Sequence, residues 1–226
     1  MLVIAIDTSG RKGSIALCRG DHDHFEVLQL TSLEGGMYSA QLMPRIADAL
    51  QQNQLQKAQV DGFVVVSGPG SFTGLRVGLA TVKGLCEVLQ KPLAAVSMLE
   101  AVALTHGCPG QTTTVVLDAG RGDVYVGEYQ VSAEHATMVR EYIAKLDAFA
   151  TETALDVGRV LTTDAKVAEA LQAANADVRL VPAIQADEIG RIGIHKLLAG
   201  ESADPAIIDV NYIRRSDAEI FSTPKH

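Results

Sequence analysis

The sequence predicts an α/β fold, and three observations carry that expectation. Apolar runs of strand length, such as Leu2 to Ile6 and Asp61 to Val66, alternate with longer stretches whose apolar residues recur at helical spacing. A Gly68-Pro69-Gly70 turn joins the run ending at Val66 to a helical stretch reaching Leu89. Pro69 fixes its own φ, and glycine supplies backbone angles that other residues resist. Loop composition at His106-Gly107-Cys108-Pro109-Gly110 marks a boundary between an N-terminal domain, 1–106, and a smaller strand-rich C-terminal domain, 107–226, whose final helix and tail pack back.

Taken in order, Leu2 to Ile6, Gly13 to Cys18 and His24 to Leu30 read as three strands. Asp7-Thr8-Ser9-Gly10 turns between the first two, and Asp7 either caps that turn or serves a phosphate or an ion. Gly35 and Gly36 lead into a helix from Tyr38 to Gln52 with Leu42, Met43, Ile46, Ala47 and Leu50 on one stripe. Pro44 removes a backbone donor and should kink this helix unless it falls in the first turn. In the helix over 71–89, Ser71 or Thr73 supplies the N-cap. Gly74, Gly78 and Gly84 interrupt that helix, each at roughly 1 kcal/mol relative to alanine, so another backbone is expected nearby. Spacing alone favours the chain's own sheet as the neighbour; a partner helix is the alternative. Arg76 is either a bridge to a partner or nucleotide, or a solvated side chain lying over the helix.

Pro92 to Ser97 is the next strand, and Ser97 with Glu100, spaced as a capping box, opens a helix to Thr105. Thr112 to Leu117 and Val124 to Gln130 are strands joined by Asp118-Ala119-Gly120-Arg121-Gly122-Asp123, which suits an ordinary hairpin better than a metal or phosphate loop. Strands at Thr137 to Ile143, Val157 to Leu161 and Val178 to Val181 follow, with helices from Asp164 to Ala173 and Asp187 to Leu198.

Composition narrows the function classes. At 226 residues, 47% of them hydrophobic, the chain can bury a sizeable core. No stretch approaches the ~20 apolar residues a membrane span needs. Met1 to Ile6 has no basic lead-in and reads as a strand and not as a signal peptide, so a cytoplasmic protein is expected. Cys18, Cys86 and Cys108 contain no close pair, which points to free thiols over a disulfide framework or zinc knuckle. The net charge of −8 lies mostly in the second half, where residues 106–226 hold eleven Lys/Arg against eighteen Asp/Glu. Such a chain, with no Trp, neutralises few phosphates and stacks few bases, so it should bind RNA poorly alone. The glycine turn is not a P-loop, because no Gly-Lys-Ser/Thr follows it, and Lys83 lies too far down the helix. Nor is Ser71 on a nucleophile elbow, since Pro69 stands where that motif needs glycine. His22 and His24 lack a third ligand nearby and read as solvated.

Gly68-Pro69-Gly70-Ser71-Phe72-Thr73-Gly74-Leu75-Arg76 resembles the signature of the bacterial TsaB (YeaZ) family of tRNA threonylcarbamoyladenosine biosynthesis proteins. The resemblance covers Met1 to about Asp123 and, more weakly, the tail Asn211-Tyr212-Ile213-Arg214-Arg215. It implies a two-lobed actin-like ATPase (ribonuclease H-like) fold with a degenerate second lobe. It also implies a non-catalytic scaffold that pairs with TsaD and supports TsaE recruitment, while a threonylcarbamoyl group is placed on the adenosine beside the tRNA anticodon. On that reading tRNA is met only through the complex. ATP and a divalent metal are used by the partner subunits, and this chain binds no cofactor. TsaD resembles this chain but holds metal with two histidines four residues apart; Tyr38 and Leu42 stand at the matching positions. The implied partner contact involves helices 38–52 and 71–89, with Tyr38, Leu42, Ile46, Gly74, Gly78 and Thr81 as candidates. Without the partner, the same surface is expected to form a homodimer. Asp7, Ser71, Phe72, Thr73 and Arg76 are candidate nucleotide or interface contacts. The family usually has arginine where Gly120 stands, which moves Arg121 by one position. Two other functions remain open: a phosphotransferase or ATPase of the same superfamily using Asp7 and Asp118, and a peptidase using Ser71 or Cys86.

Overall fold

All six residues of β1 (Leu2–Asp7) are buried, as a strand covered on both faces requires. β2 (Lys12–Gly20) returns antiparallel to β1, and β3 (Phe25–Glu34) pairs antiparallel with β2. β4 (Gly62–Gly68) and β5 (Leu93–Ser97) add in parallel on the other side, giving the order β3-β2-β1-β4-β5. This computed structural model describes residues 1–156, 159–209 and 213. Strand alternation sorts the side chains. Ile4 lies opposite Phe63, and both face the helices α1 (Tyr38–Gln52) and α2 (Phe72–Leu89). Pro44 stands in the second turn of α1, on its exposed side along with Ala40, whose carbonyl loses its helical partner. The peptide bond between Gly68 and Pro69 is cis.

α3 (Met98–His106) follows β5, and the backbone N–H of Ser97 donates to Glu100 Oε2 at 3.4 Å, one arm of the expected capping box. Contacts divide the chain into a first unit, Met1–Ala101 with Ile184–Val210, and a second unit containing Val102–Ala183. The division falls inside α3, a few residues before the loop expected as the boundary.

In the second unit, β6 (Thr112–Gly120), β7 (Asp123–Val131) and β8 (Ala136–Lys145) form an antiparallel meander. After α4 (Leu146–Asp156), β9 (Val160–Thr162) pairs in parallel with β6. Then α5 (Ala165–Ala173) leads to β10 (Val178–Leu180), and the order is β10-β9-β6-β7-β8. Its core joins Val116, Val124, Val126 and Val160 to Phe149 and Ala150 of α4 and to Val167 and Leu171 of α5. α4 is an addition to the elements expected from sequence, which left those residues unassigned.

α6 (Ala186–Leu198) belongs to the first unit and packs on the face of its sheet opposite α1 and α2. Gly190 lies over Ala5 and Cys18, and Gly193 lies over Val64; a side chain at either glycine would collide with these residues. Ser14 Oγ accepts the backbone N–H of Ala186 at 2.9 Å, and Lys196 pairs with Glu100 at 2.8 Å. Among the described residues no helix is long and apolar enough to cross a membrane. Of the tail motif, all but Ile213 lies outside the described residues, as does Val157 at the start of one expected strand.

Candidate functional site

The glycine-rich signature closes over the β1–β2 turn. Ser71 caps α2 by accepting the N–H of Gly74 at 3.4 Å. Its own N–H donates to Ser9 O at 2.6 Å. Thr8 Oγ1 donates to Gly74 O at 2.8 Å, and Tyr38 Oη donates to Gly10 O at 2.8 Å. A Cβ at Gly74 would overlap Thr8 O, and one at Gly78 would overlap Thr8 Oγ1. One at Gly70 would stand 2.5 Å from Ser9 O. Gly70, Gly74 and Gly78 therefore make room for the chain's own β1–β2 turn; the neighbour is intramolecular, but it is this turn and not the sheet face that spacing favours.

Asp7 sits inside this enclosure at 5% exposure. Its Oδ1 accepts the N–H of Ser9 at 2.8 Å and the Ser9 hydroxyl at 2.6 Å. Burial pushes its carboxyl above the usual carboxylate range, against the pull of those two hydrogen bonds. Burial and then the nearby Asp7 raise the Tyr38 phenol. A carboxylate whose acceptor atom already holds two donors, under a turn covered by α2, is placed to stabilise the turn.

A second feature lies on the far side of the same two helices. Between α1 and α2 an apolar groove encloses about 570 Å³, lined by Met43, Ile46, Ala47, Thr81, Gly84, Leu85 and Val88, among others. Met43 is 50% exposed and Val88 76%, and nothing stands within 4 Å of a Cβ built at Gly84. Of the three costly glycines, this one faces open space.

The six candidate contact residues fall into two sets. Tyr38, Leu42, Gly74 and Gly78 are buried in the chain's own interior. Ile46 and Thr81 do line the groove. Beside them lie Met43 and Ala47, which spacing had placed on the apolar stripe of the helix over 38–52, together with Gly84 and Val88. The available signal was Gly84 four residues before Val88, an unfilled position beside an apolar side chain on one helical face. Phe72, Thr73 and Arg76 lie on the exposed side of the first turns of α2, with the Arg76 guanidinium 3.9 Å from the Phe72 ring centroid.

The acidic hairpin turn is occupied as well. Arg121 and Gly122 both have positive φ, 57° and 78°, the signs required by a two-residue type I′ connection. Asp118 Oδ1 accepts the N–H of Gly120 at 2.8 Å, the N–H of Asp118 donates to Asp164 Oδ2 at 2.8 Å, and Asp123 pairs with Lys145 at 2.6 Å. Asp164 flanks α5 as expected but uses its side chain on β6 and not as a helix cap. Burial pushes the Cys86 thiol up to about 11, the opposite of what a nucleophile needs. The Ser71 hydroxyl serves as the cap.

A protein-family model described as TsaD: tRNA N6-adenosine threonylcarbamoyltransferase matches residues 36–189. The tRNA threonylcarbamoyladenosine biosynthesis protein TsaB of Bacillus subtilis (strain 168) is 36% identical over 130 residues, covering 58% of this chain and 56% of that protein. The chain thus spans little more than half the length of this curated relative. A solved Pseudomonas aeruginosa protein with similarity to the peptidase YeaZ matches with a TM-score of 0.75 at 21% identity, over 94% of this chain and 99% of that one. The activator of 2-hydroxyisocaproyl-CoA dehydratase from Clostridium difficile, solved with ADPNP, matches with a TM-score of 0.51 at 8% identity, over 89% and 96%. At those identities the likeness is one of fold: an α/β protein of the actin-like ATPase (ribonuclease H-like) class. In the second sheet β9 and β10 have three residues each.

Proposed function

We infer a function from one premise: the chain belongs to the family of TsaD, the tRNA N6-adenosine threonylcarbamoyltransferase, and stands within it among the TsaB (YeaZ) proteins. It acts in tRNA threonylcarbamoyladenosine biosynthesis as a non-catalytic scaffold, pairing with TsaD and supporting recruitment of TsaE in the cytoplasm. The carrying observation is the pairing of a filled turn with an open groove. At the β1–β2 turn, where Asp7 was a candidate for serving phosphate, the start of α2 and its cap lie on Thr8 and Ser9; between α1 and α2, apolar side chains and Gly84 remain uncovered. Helices of a partner seated there would bury Met43 and Val88 and approach closely at Gly84. When no TsaD is present, a second copy of the chain uses the same groove. ATP and the divalent metal are handled by the partner subunits, and tRNA is reached through the complex.

The test is Gly84→Arg. It fills the open position and, with arginine's good helix propensity, should leave the fold intact. Co-purification with TsaD and the yield of modified tRNA in a reconstituted reaction should both fall by more than tenfold. A complex that survives Gly84→Arg refutes this placement of the partner. ATP hydrolysis by the chain alone would favour the phosphotransferase reading and return attention to Asp7 and Asp118.

A further inference from the structure

The second unit carries an open surface pocket of about 410 Å³, lined by His106, Thr113 and Leu161 and by the exposed side chains of Arg159, Asp177 and Arg179. Nothing in the scaffold function uses it. Strand register explains why these residues meet. Arg179 lies opposite Leu161 and Val178 opposite Val160 in the parallel pair of β9 and β10, while Val115 of β6 lies opposite Leu161. Side chains two residues apart share a face, so Thr113, Arg159, Asp177 and Arg179 all join Leu161 on one side of the sheet. The other side carries Val116, Val160 and Val178 into the core. The polar set is therefore produced by the same alternation that builds the core.

The charges in the pocket are incompletely matched. Arg159 Nε lies 3.2 Å and 3.4 Å from the two carboxylate oxygens of Asp177. The Arg179 side chain is exposed, and no ion pair joins it to a carboxylate among the described residues. His106 Nε2 is shielded from solvent and lacks a hydrogen-bond partner among the described residues. Two guanidiniums against one carboxylate leave one net positive charge. That exceeds the partial negative charge of roughly one half at the carbonyl end of α3, which ends at His106. A positive residue here opposes the acidic character of the C-terminal half, so an anion would be held by local donors and not by the long-range field.

We propose that this pocket binds a phosphate group, with Arg179 and Arg159 as its principal donors and His106 as a further hydrogen-bonding residue. The planar fork of each guanidinium matches two phosphate oxygens, and Asp177 competes with the ligand for Arg159. The proposal is independent of the TsaD contact, which lies on residues of the first unit. The phosphate is either a free small anion or a backbone group of RNA.

The experiment is calorimetric titration of the full chain with inorganic phosphate at constant ionic strength set with chloride. Arg179→Gln should weaken binding about tenfold or more, the scale of a lost charge-assisted hydrogen bond. Asp177→Asn should tighten it several-fold by releasing Arg159. A purely structural Arg159–Asp177 pair would not produce tightening. Repeating the titration with unmodified tRNA present separates the sources: loss of the phosphate signal assigns the site to the RNA backbone, and its persistence assigns it to a free anion. Absence of phosphate binding by the natural sequence overturns the proposal. So does equal binding by Arg179→Gln, or weaker binding by Asp177→Asn.

Discussion

Alanine at Gly84 should stabilise the protein and alanine at Gly78 should not, although both replace a glycine inside α2. Helix propensity favours alanine by about 1 kcal/mol at either position, so this contribution cancels when the two variants are compared. At Gly84 an added methyl meets nothing within 4 Å, and the gain of about 1 kcal/mol stands. At Gly78 the methyl would overlap Thr8 Oγ1, the donor to Gly74 O at 2.8 Å. Turning the Thr8 side chain away leaves a buried hydroxyl unpaired, and moving the helix overpacks the turn; either response costs about 1–3 kcal/mol. The difference between the variants is therefore about 1–3 kcal/mol. Hydrogen exchange of the α2 amides measures it within the first unit, without assuming that both units unfold together. Thr8→Ala should rescue Gly78→Ala, because Thr8 Cβ would lie 3.5 Å from the new methyl, an ordinary contact. Equal stability of the Gly78 and Gly84 variants, or no coupling to Thr8, would refute the account of α2 lying on its own turn.

Three further outcomes follow from the same geometry. Asp7 has its folded pKa raised by burial, so its charged form is disfavoured in the fold and the penalty develops as pH rises from about 4 through the folded value. Asp7→Asn keeps an acceptor for both Ser9 donors and should gain stability relative to the natural sequence between pH 4 and 7, measured by urea denaturation across that range; a loss at neutral pH would point to a bound cation instead. Gly122→Ala forces a side chain into φ 78° and should cost about 1 kcal/mol, read as a lower denaturation midpoint of the second unit. With Cys18 pushed to about 12 and Cys86 to about 11, a maleimide at neutral pH should label Cys108 alone in the native protein and all three thiols after unfolding, counted by mass spectrometry.

The strands of the first sheet were legible because their apolar runs are bounded by turn residues. α2 was legible because its cap, Ser71, stands at the end of a Gly-Pro-Gly turn. α4 was not: its sequence LDAFATETALD mixes threonine with small residues, and Phe149 and Ala150 form too narrow a stripe to reveal helical periodicity. β3 runs on to Glu34, beyond the last clearly apolar alternation, because pairing with Lys12 and Gly13 extends it. At the candidate site, glycine content announced a close neighbour but not which one. Thr8 meets Gly78 across the β1–β2 turn, a contact between residues distant in sequence that no local pattern encodes. The same limit applies to Arg159 and Arg179, which come together only through the register of two short parallel strands.

The return of α6 to the first sheet has a consequence for how the chain is made. Ala5, Cys18 and Val64 are covered by a helix that emerges from the ribosome only after the whole stretch from β6 to β10. At ordinary elongation rates that interval is on the order of ten seconds. During it, β1, β2, β4 and β5 can pair and accept α1 and α2, leaving one apolar face of the sheet without its cover. Closing that face joins residues far apart in sequence, the kind of contact that slows folding. Chains halted before Ala186 should therefore be captured by holdase chaperones, while chains completed through Leu198 should escape them.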